Sequence, residues 1–158
     1  MQLSFNIRHL SYICFMVRTA ELLEQDLSFK SVDDKGSLFL IKAIREGIKY
    51  SFFEDMLKYV PFSFLEWSRY LNLSERTLQR YKKENKPFQA NFAERILEIR
   101  LLYKYGIEVF EDNGNFDSWL NTKSIALGGV KPKDLLDTTF GINLVRDELT
   151  RIEHGVLA

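Results

Sequence analysis

With 158 residues, 46% apolar and 14% aromatic, the chain can bury a substantial core as one medium domain or two small ones. Lysines and arginines balance aspartates and glutamates at 22 each, so bulk charge argues against gross affinity for nucleic acid. The single cysteine, Cys14, excludes an internal disulfide and fits a reducing cytoplasm, and no apolar run approaches the roughly 20 residues of a membrane span.

Residues 10–17 are apolar but short and flanked by Arg8, His9 and Arg18, and no small-residue cleavage site of a signal peptide follows them. "TAELLEQDL" suits a short helix, "SVDDKG" suits a loop, and Met16 is a candidate alternative start. Ile41, Ile44 and Ile48 share one helical face; Phe53, Met56, Leu57 and Val60 share another. Ser51 with Glu54, Ser63 with Glu66 and Asn91 with Glu94 have the spacing of reciprocal N-terminal caps, which predicts helix starts near 51, 63 and 91. Pro61 and Pro87 break the pattern. Over residues 92–109, Phe92, Ile96, Ile99 and Tyr103 form the next stripe, followed by "EDNGN" and "LGGVKP" as turns, with Pro132 suited to a helix start. A last helix is expected over residues 143–154, with Val145, Leu149, Ile152 and Val156 on one face. No useful strand alternation appears, so the fold class is all-α, in two lobes joined near Pro87.

The neutral total hides a local imbalance. Residues 61–89 carry six bases against three acids, and residues 90–158 eight bases against eleven acids. Within the basic centre, "WSRYLNLSERTLQRYKK" reads as a helix-turn-helix. Trp67 and Leu71 face inward, small Ser68 lies where the helices press together, and Asn72 suits a left-handed turn. Leu73 plugs the turn, Ser74 caps the second helix, and Leu78 and Tyr81 face the core. That turns Glu75, Arg76, Gln79, Arg80, Lys82 and Lys83 outward. Arg76, Gln79 and Arg80 suit base edges, since Arg forks onto guanine and Gln onto adenine; Lys82, Lys83 and Lys86 suit phosphates, while Glu75 would repel them. A helical hairpin with a solvated basic face is the plainer alternative.

Catalytic chemistry is scarce. His9 and His154 are far apart in sequence, and there is no zinc spacing, P-loop, dinucleotide fingerprint or nucleophile elbow. Asp147 and Glu148 point different ways on a helix, and Asp147 is placed to pair with Arg151. An enzyme using His154 with Glu153 is disfavoured, because adjacent helical residues diverge by about 100°. The tail "RIEHGVLA" reads first as a helix end, with Gly155 left-handed, Val156 folding back, and Arg151 and His154 near the negative end of the helix dipole.

The stretches "AIREGIKYSFFEDML", "LNLSERTLQRYKK", "ERILEI", "EVF", "WL", "ALGGVKPKDLLDTTFG" and "LTRIEHGVLA" together resemble the Xre/MbcA/ParS-type antitoxins, partners of RES-domain toxins in type II toxin–antitoxin systems. The resemblance covers roughly residues 38–158. Its most specific part runs through Leu127, Gly128, Gly129, Pro132, Leu135, Leu136, Thr138, Gly141, Val145, Leu149 and residues 151–155. It implies an N-terminal extension over 1–35, an Xre-like helix-turn-helix DNA-binding domain over 36–88 that represses its own operon, and a toxin-binding domain over 89–158. The implied DNA contacts are Ser74, Arg76, Gln79, Arg80, Lys82 and Lys83; the implied toxin contacts are Arg151, Glu153, His154, Gly155 and Val156. The toxin would consume NAD or transfer ADP-ribose, and the antitoxin would cover its active-site entrance without cofactor, metal or catalysis of its own. A homodimer, or a larger complex with toxin, would match a palindromic operator. The alternative is a stand-alone helix-turn-helix regulator whose second lobe dimerises or senses a ligand.

Overall fold

The computed structural model describes residues 28–155, so the expectations for "TAELLEQDL", Met16 and Val156 lie outside the described residues. The described chain is helical: α1 (Asp34–Glu46), α2 (Tyr50–Met56), α3 (Phe64–Tyr70), α4 (Glu75–Glu84), α5 (Ala90–Phe110), α6 (Asn113–Asn121), a 3-10 turn (Pro132–Leu135) and α7 (Thr139–Glu153). Extended pairing among the described residues amounts to two isolated bridges, Ile48 with Phe88 and Ser124 with Val130.

The all-α expectation holds, but several local details differ. "SVDDKG" is half helix, because the Gly36 amide donates to the Asp33 side chain at 2.7 Å and α1 begins at Asp34. That helix buries Gly36, Leu40 and Ala43, while Ile41 is 42% exposed; the face is rotated from the isoleucine stripe. Of the three expected caps, only Ser63 forms one: its hydroxyl accepts from the Glu66 amide at 3.2 Å, and Glu66 accepts from the Ser63 amide at 2.7 Å. At α2 the cap position is Lys49, and the Ser51 amide instead donates to the Asn85 side chain at 3.1 Å, across from the end of α4. A tertiary partner has replaced a local one. At α5 the cap position is Gln89, two residues before Asn91. "EDNGN" does turn, but only at its start: Glu111 is left-handed, Asp112 caps α6 through the Asn115 amide at 2.8 Å, and residues 113–115 are already helical. The last helix starts at Thr139, earlier than expected, because Thr138 accepts from the Gly141 amide at 3.1 Å.

Helix α5 is the spine. It buries Ala93, Ile96, Leu97, Ile99, Leu101, Leu102, Tyr103, Tyr105 and Gly106, an apolar surface on most sides that suits a central helix. Helices α1, α6 and α7 pack on it. Gly106 permits the α6 crossing, since a Cβ there would stand 2.1 Å from the Phe116 ring. In front of the spine, α2, α3 and α4 close around an aromatic nest. Phe53 meets Trp67 edge-on at 5.0 Å and Phe88 at 5.3 Å, and Tyr81 stacks on Phe88 at 4.6 Å. Each such pair contributes about 0.5–1.5 kcal/mol beyond area burial. The buried side chains form one continuous cluster from Leu40 to Leu149.

Two ion pairs tie α3 to the 3-10 turn: Lys133 with Glu66 at 3.0 Å and Arg69 with Asp134 at 3.9 Å. Burial pushes the Glu66 carboxyl up, but the Ser63 amide and hydroxyl and the Lys133 ammonium together outweigh it and hold the group below its usual value. A folded-state pKa lowered in this way adds stability above the unfolded pKa, and that stability is lost as pH falls through the folded one. Glu66→Gln is therefore expected to flatten the acid limb of the stability curve below roughly pH 4.5. Urea midpoints measured against pH check this; a variant curve parallel to that of the parent protein would refute it.

Candidate nucleic-acid and partner surfaces

The helix-turn-helix forms as its residues dictate. Trp67, Leu71 and Leu78 are buried at 0–2% exposure, and Tyr81 lies with them. Ser68 is buried at the crossing, and its hydroxyl donates to the Leu65 carbonyl at 2.8 Å. Asn72 is left-handed (φ 51°), and the Leu73 amide donates to the Ser68 carbonyl at 2.9 Å, closing the turn. Ser74 caps α4 by accepting from the Thr77 amide at 3.1 Å, and its hydroxyl also contacts that of Thr77 at 2.8 Å.

On α4, Arg76, Gln79, Arg80 and Lys83 are exposed and, at i, i+3, i+4, i+7, fall on one face. Glu75 and Lys82 stand about 100° from this stripe by helix geometry, so Glu75 is displaced from the face it would oppose. Lys82, expected to hold phosphate, pairs instead with Glu54 of α2 at 3.0 Å. Lys86 extends over the Tyr81 ring at 5.8 Å. The result is an exposed cationic stripe on a helix whose opposite face is locked by Leu78 and Tyr81.

At the far end of the chain the tail is more occupied than its sequence suggests. Tyr105 donates its hydroxyl proton to Glu153 at 2.8 Å and lies 3.2 Å from the Thr150 hydroxyl. Lys30 also pairs with Glu153, and Arg146 sits over the Phe29 ring at 5.4 Å, so residues 28–32 lie along α7. The Lys30 ammonium first, then the Tyr105 hydroxyl, hold the Glu153 carboxyl below its usual value. Glu153 is thus a half-buried anchor rather than the exposed contact expected of it. Arg151 pairs with Glu148, and Asp147 with Arg146, so the expected Asp147–Arg151 pair is replaced by an i, i+3 pair. His154 is exposed at the helix end, and Gly155 is left-handed (φ 66°), its amide donating to the Ile152 carbonyl at 3.0 Å, as the cap reading requires. The ties from α5 and from residues 28–32 were invisible in sequence, because Tyr105 and Lys30 lie far from Glu153 along the chain.

Among the described residues no cluster of His, Cys, Asp and Glu is arranged to hold a metal, and no helix is long and apolar enough to cross a membrane. A helix-turn-helix with an exposed cationic stripe, joined by one spine to a second helical module, defines a regulator-like binding protein. Residues 39–100 match the antitoxin Xre-like helix-turn-helix domain, and residues 106–155 match the antitoxin Xre/MbcA/ParS C-terminal toxin-binding domain. The chain belongs to the Xre/MbcA/ParS antitoxin family. It is 34% identical over 97 residues to the Prs ADP-ribosylating antitoxin of Sphingobium sp., an alignment covering 56% of this chain and 61% of that protein. It is 26% identical over 120 residues to Antitoxin Xre of Yersinia enterocolitica, covering 75% of this chain and 81% of that one.

Proposed function

We propose that this antitoxin neutralises a RES-domain toxin that consumes NAD or transfers ADP-ribose, by covering the toxin's active-site entrance, and that it represses its own operon. The paired helix-turn-helix and toxin-binding matches on one chain carry this reading. The Sphingobium relative, an antitoxin named for ADP-ribosylation, supports the toxin chemistry. In this reading residues 36–88 serve DNA and residues 89–158 serve the toxin, with α5 shared as the spine. Arg76, Gln79 and Arg80 read bases; Ser74 and Lys83 hold the DNA backbone, while Lys82 is taken up by Glu54. Arg151, His154, Gly155 and Val156 meet the toxin, and Glu153, through its bonds to Tyr105 and Lys30, sets their position. The protein acts in the cytoplasm as a homodimer or a larger complex with toxin, with no cofactor and no catalysis of its own.

Co-expression with the neighbouring gene product tests the toxin half: relief of toxicity and a stable complex are expected. Absence of both would favour a stand-alone regulator. Arg80→Ala tests the DNA half. Operator affinity should fall by roughly 1–3 kcal/mol if Arg80 reads a base, while neutralisation is retained. Fluorescence anisotropy on the upstream region of the gene, across a salt series, measures it; unchanged affinity would remove α4 from the DNA.

A further inference from the structure

Helix α7 turns Ile142, Val145 and Leu149 into the core, and its opposite face is not uniformly polar. Phe140 is 90% exposed and Leu144 42% exposed. With Asp147 and Arg151 they follow each other at i, i+4, i+7, i+11, so they form a single outward stripe. His154 continues it, about 21 Å from Phe140 by the helical rise.

An isolated exposed apolar side chain means little. Phe140 differs in how it is held. Its neighbour Thr139 accepts a hydrogen bond from Arg95 of α5 at 3.2 Å, and its other neighbour, Gly141, is pressed against the Leu135 carbonyl. The Thr138 cap fixes the same turn. A ring presented to solvent from a turn pinned on both sides has little ordering entropy to lose on docking. Aromatic side chains of this kind act as anchors at protein interfaces.

We infer that the toxin is gripped along the outward stripe of α7, with Phe140 as the anchor and Leu144 beside it, and not by the chain end alone. The inference rests on the neutralisation reading above. The toxin is the occupant because the whole stripe lies within the segment matching the toxin-binding domain and runs without a break into Arg151 and His154. Of the other large exposed apolar residues, Leu38, Ile41, Tyr59 and Leu65 lie outside that segment, while Ile125 and Val130 lie inside it but on the turn before the 3-10 element, not on α7. The toxin surface that fits is an apolar socket for one ring and one branched side chain, flanked by charges that answer Asp147 and Arg151.

The test uses the full chain and, as the probe, a purified RES-domain protein of the kind the proposed function assigns as its partner. Phe140→Ala is expected to weaken the complex by roughly 30-fold or more, the range of an interface anchor, and Leu144→Ala by less. Since Phe140 is exposed, melting temperature and operator affinity should stay at wild-type values. If wild-type chain binds the toxin and Phe140→Ala binds it equally well, the stripe is not the grip, although the neutralisation reading stands. If Phe140→Ala leaves toxin affinity intact but turns a dimer into a monomer by sedimentation, the face belongs to a second copy and the inference is overturned. If wild-type chain binds no toxin, both readings fall together.

Discussion

Gly141→Ala is expected to lower stability by about 3 kcal/mol or more, a drop of roughly 6–12 °C in melting temperature for a chain of this size. The sign is what makes the result informative. Glycine to alanine inside a helix ordinarily stabilises by up to about 1 kcal/mol, because alanine has less backbone freedom to lose. Here the added Cβ would stand 1.9 Å from the Leu135 carbonyl oxygen and 2.8 Å from its carbon. Both are backbone atoms, so no side chain can swing away. Either the 3-10 turn or the first turn of α7 must move. The move would strain the Thr138 cap and the bond from Arg95 to Thr139, and it would pull on Lys133 and Asp134, which hold α3. Toxin affinity should fall with stability, and operator affinity should fall to a smaller extent. Differential scanning calorimetry with paired binding assays checks this; an unchanged or raised melting temperature would contradict the close approach of Gly141 to Leu135.

Trp67→Ala should cost about 3–5 kcal/mol, the range for emptying a large buried aromatic site. Trp67 is fully buried and meets Phe53, Phe62 and Tyr70 at 5.0–6.0 Å, so the cavity would open where α2 and α3 meet. Its ring nitrogen, Nε1, is buried without a hydrogen-bond partner among the described residues. An unpaired buried N–H costs on the order of 1–3 kcal/mol, so Trp67→Phe removes a penalty while it loses packing. The phenylalanine variant should therefore be much closer to wild type than the alanine variant. Urea unfolding of the two side by side decides it. Equal losses would mean that the indole nitrogen has a partner in solution.

These two positions mark opposite ends of what the sequence discloses. Trp67 announces its burial by spacing, since Trp67, Leu71, Leu78 and Tyr81 follow helical period on either side of a turn that Asn72 and Ser74 define. Caps and turns whose partners lie within four residues can be read in the same way: Ser63 with Glu66, Ser74 with Thr77, and Gly155 after α7. The same local logic exposed the basic stripe of α4, and resemblance exposed the toxin-binding half. No local pattern says why position 141 must be glycine, because the carbonyl that forbids a side chain there belongs to a different element.

What amino-acid order determined by itself was the helical class, the helix-turn-helix, and the charged face that α4 presents. These depend on periodicity and on hydrogen bonds between near neighbours, which are written in consecutive residues. Tertiary structure decided which face of α1 is buried, why Ser51 needs no cap of its own, and that Glu153 is tied down by Tyr105 and Lys30. It also decided that Lys82 faces Glu54 and that Phe140 stands in solvent on a pinned turn. Each of these is settled by a group brought in from another helix or segment, and hydrophobic period leaves both the identity and the direction of that neighbour open.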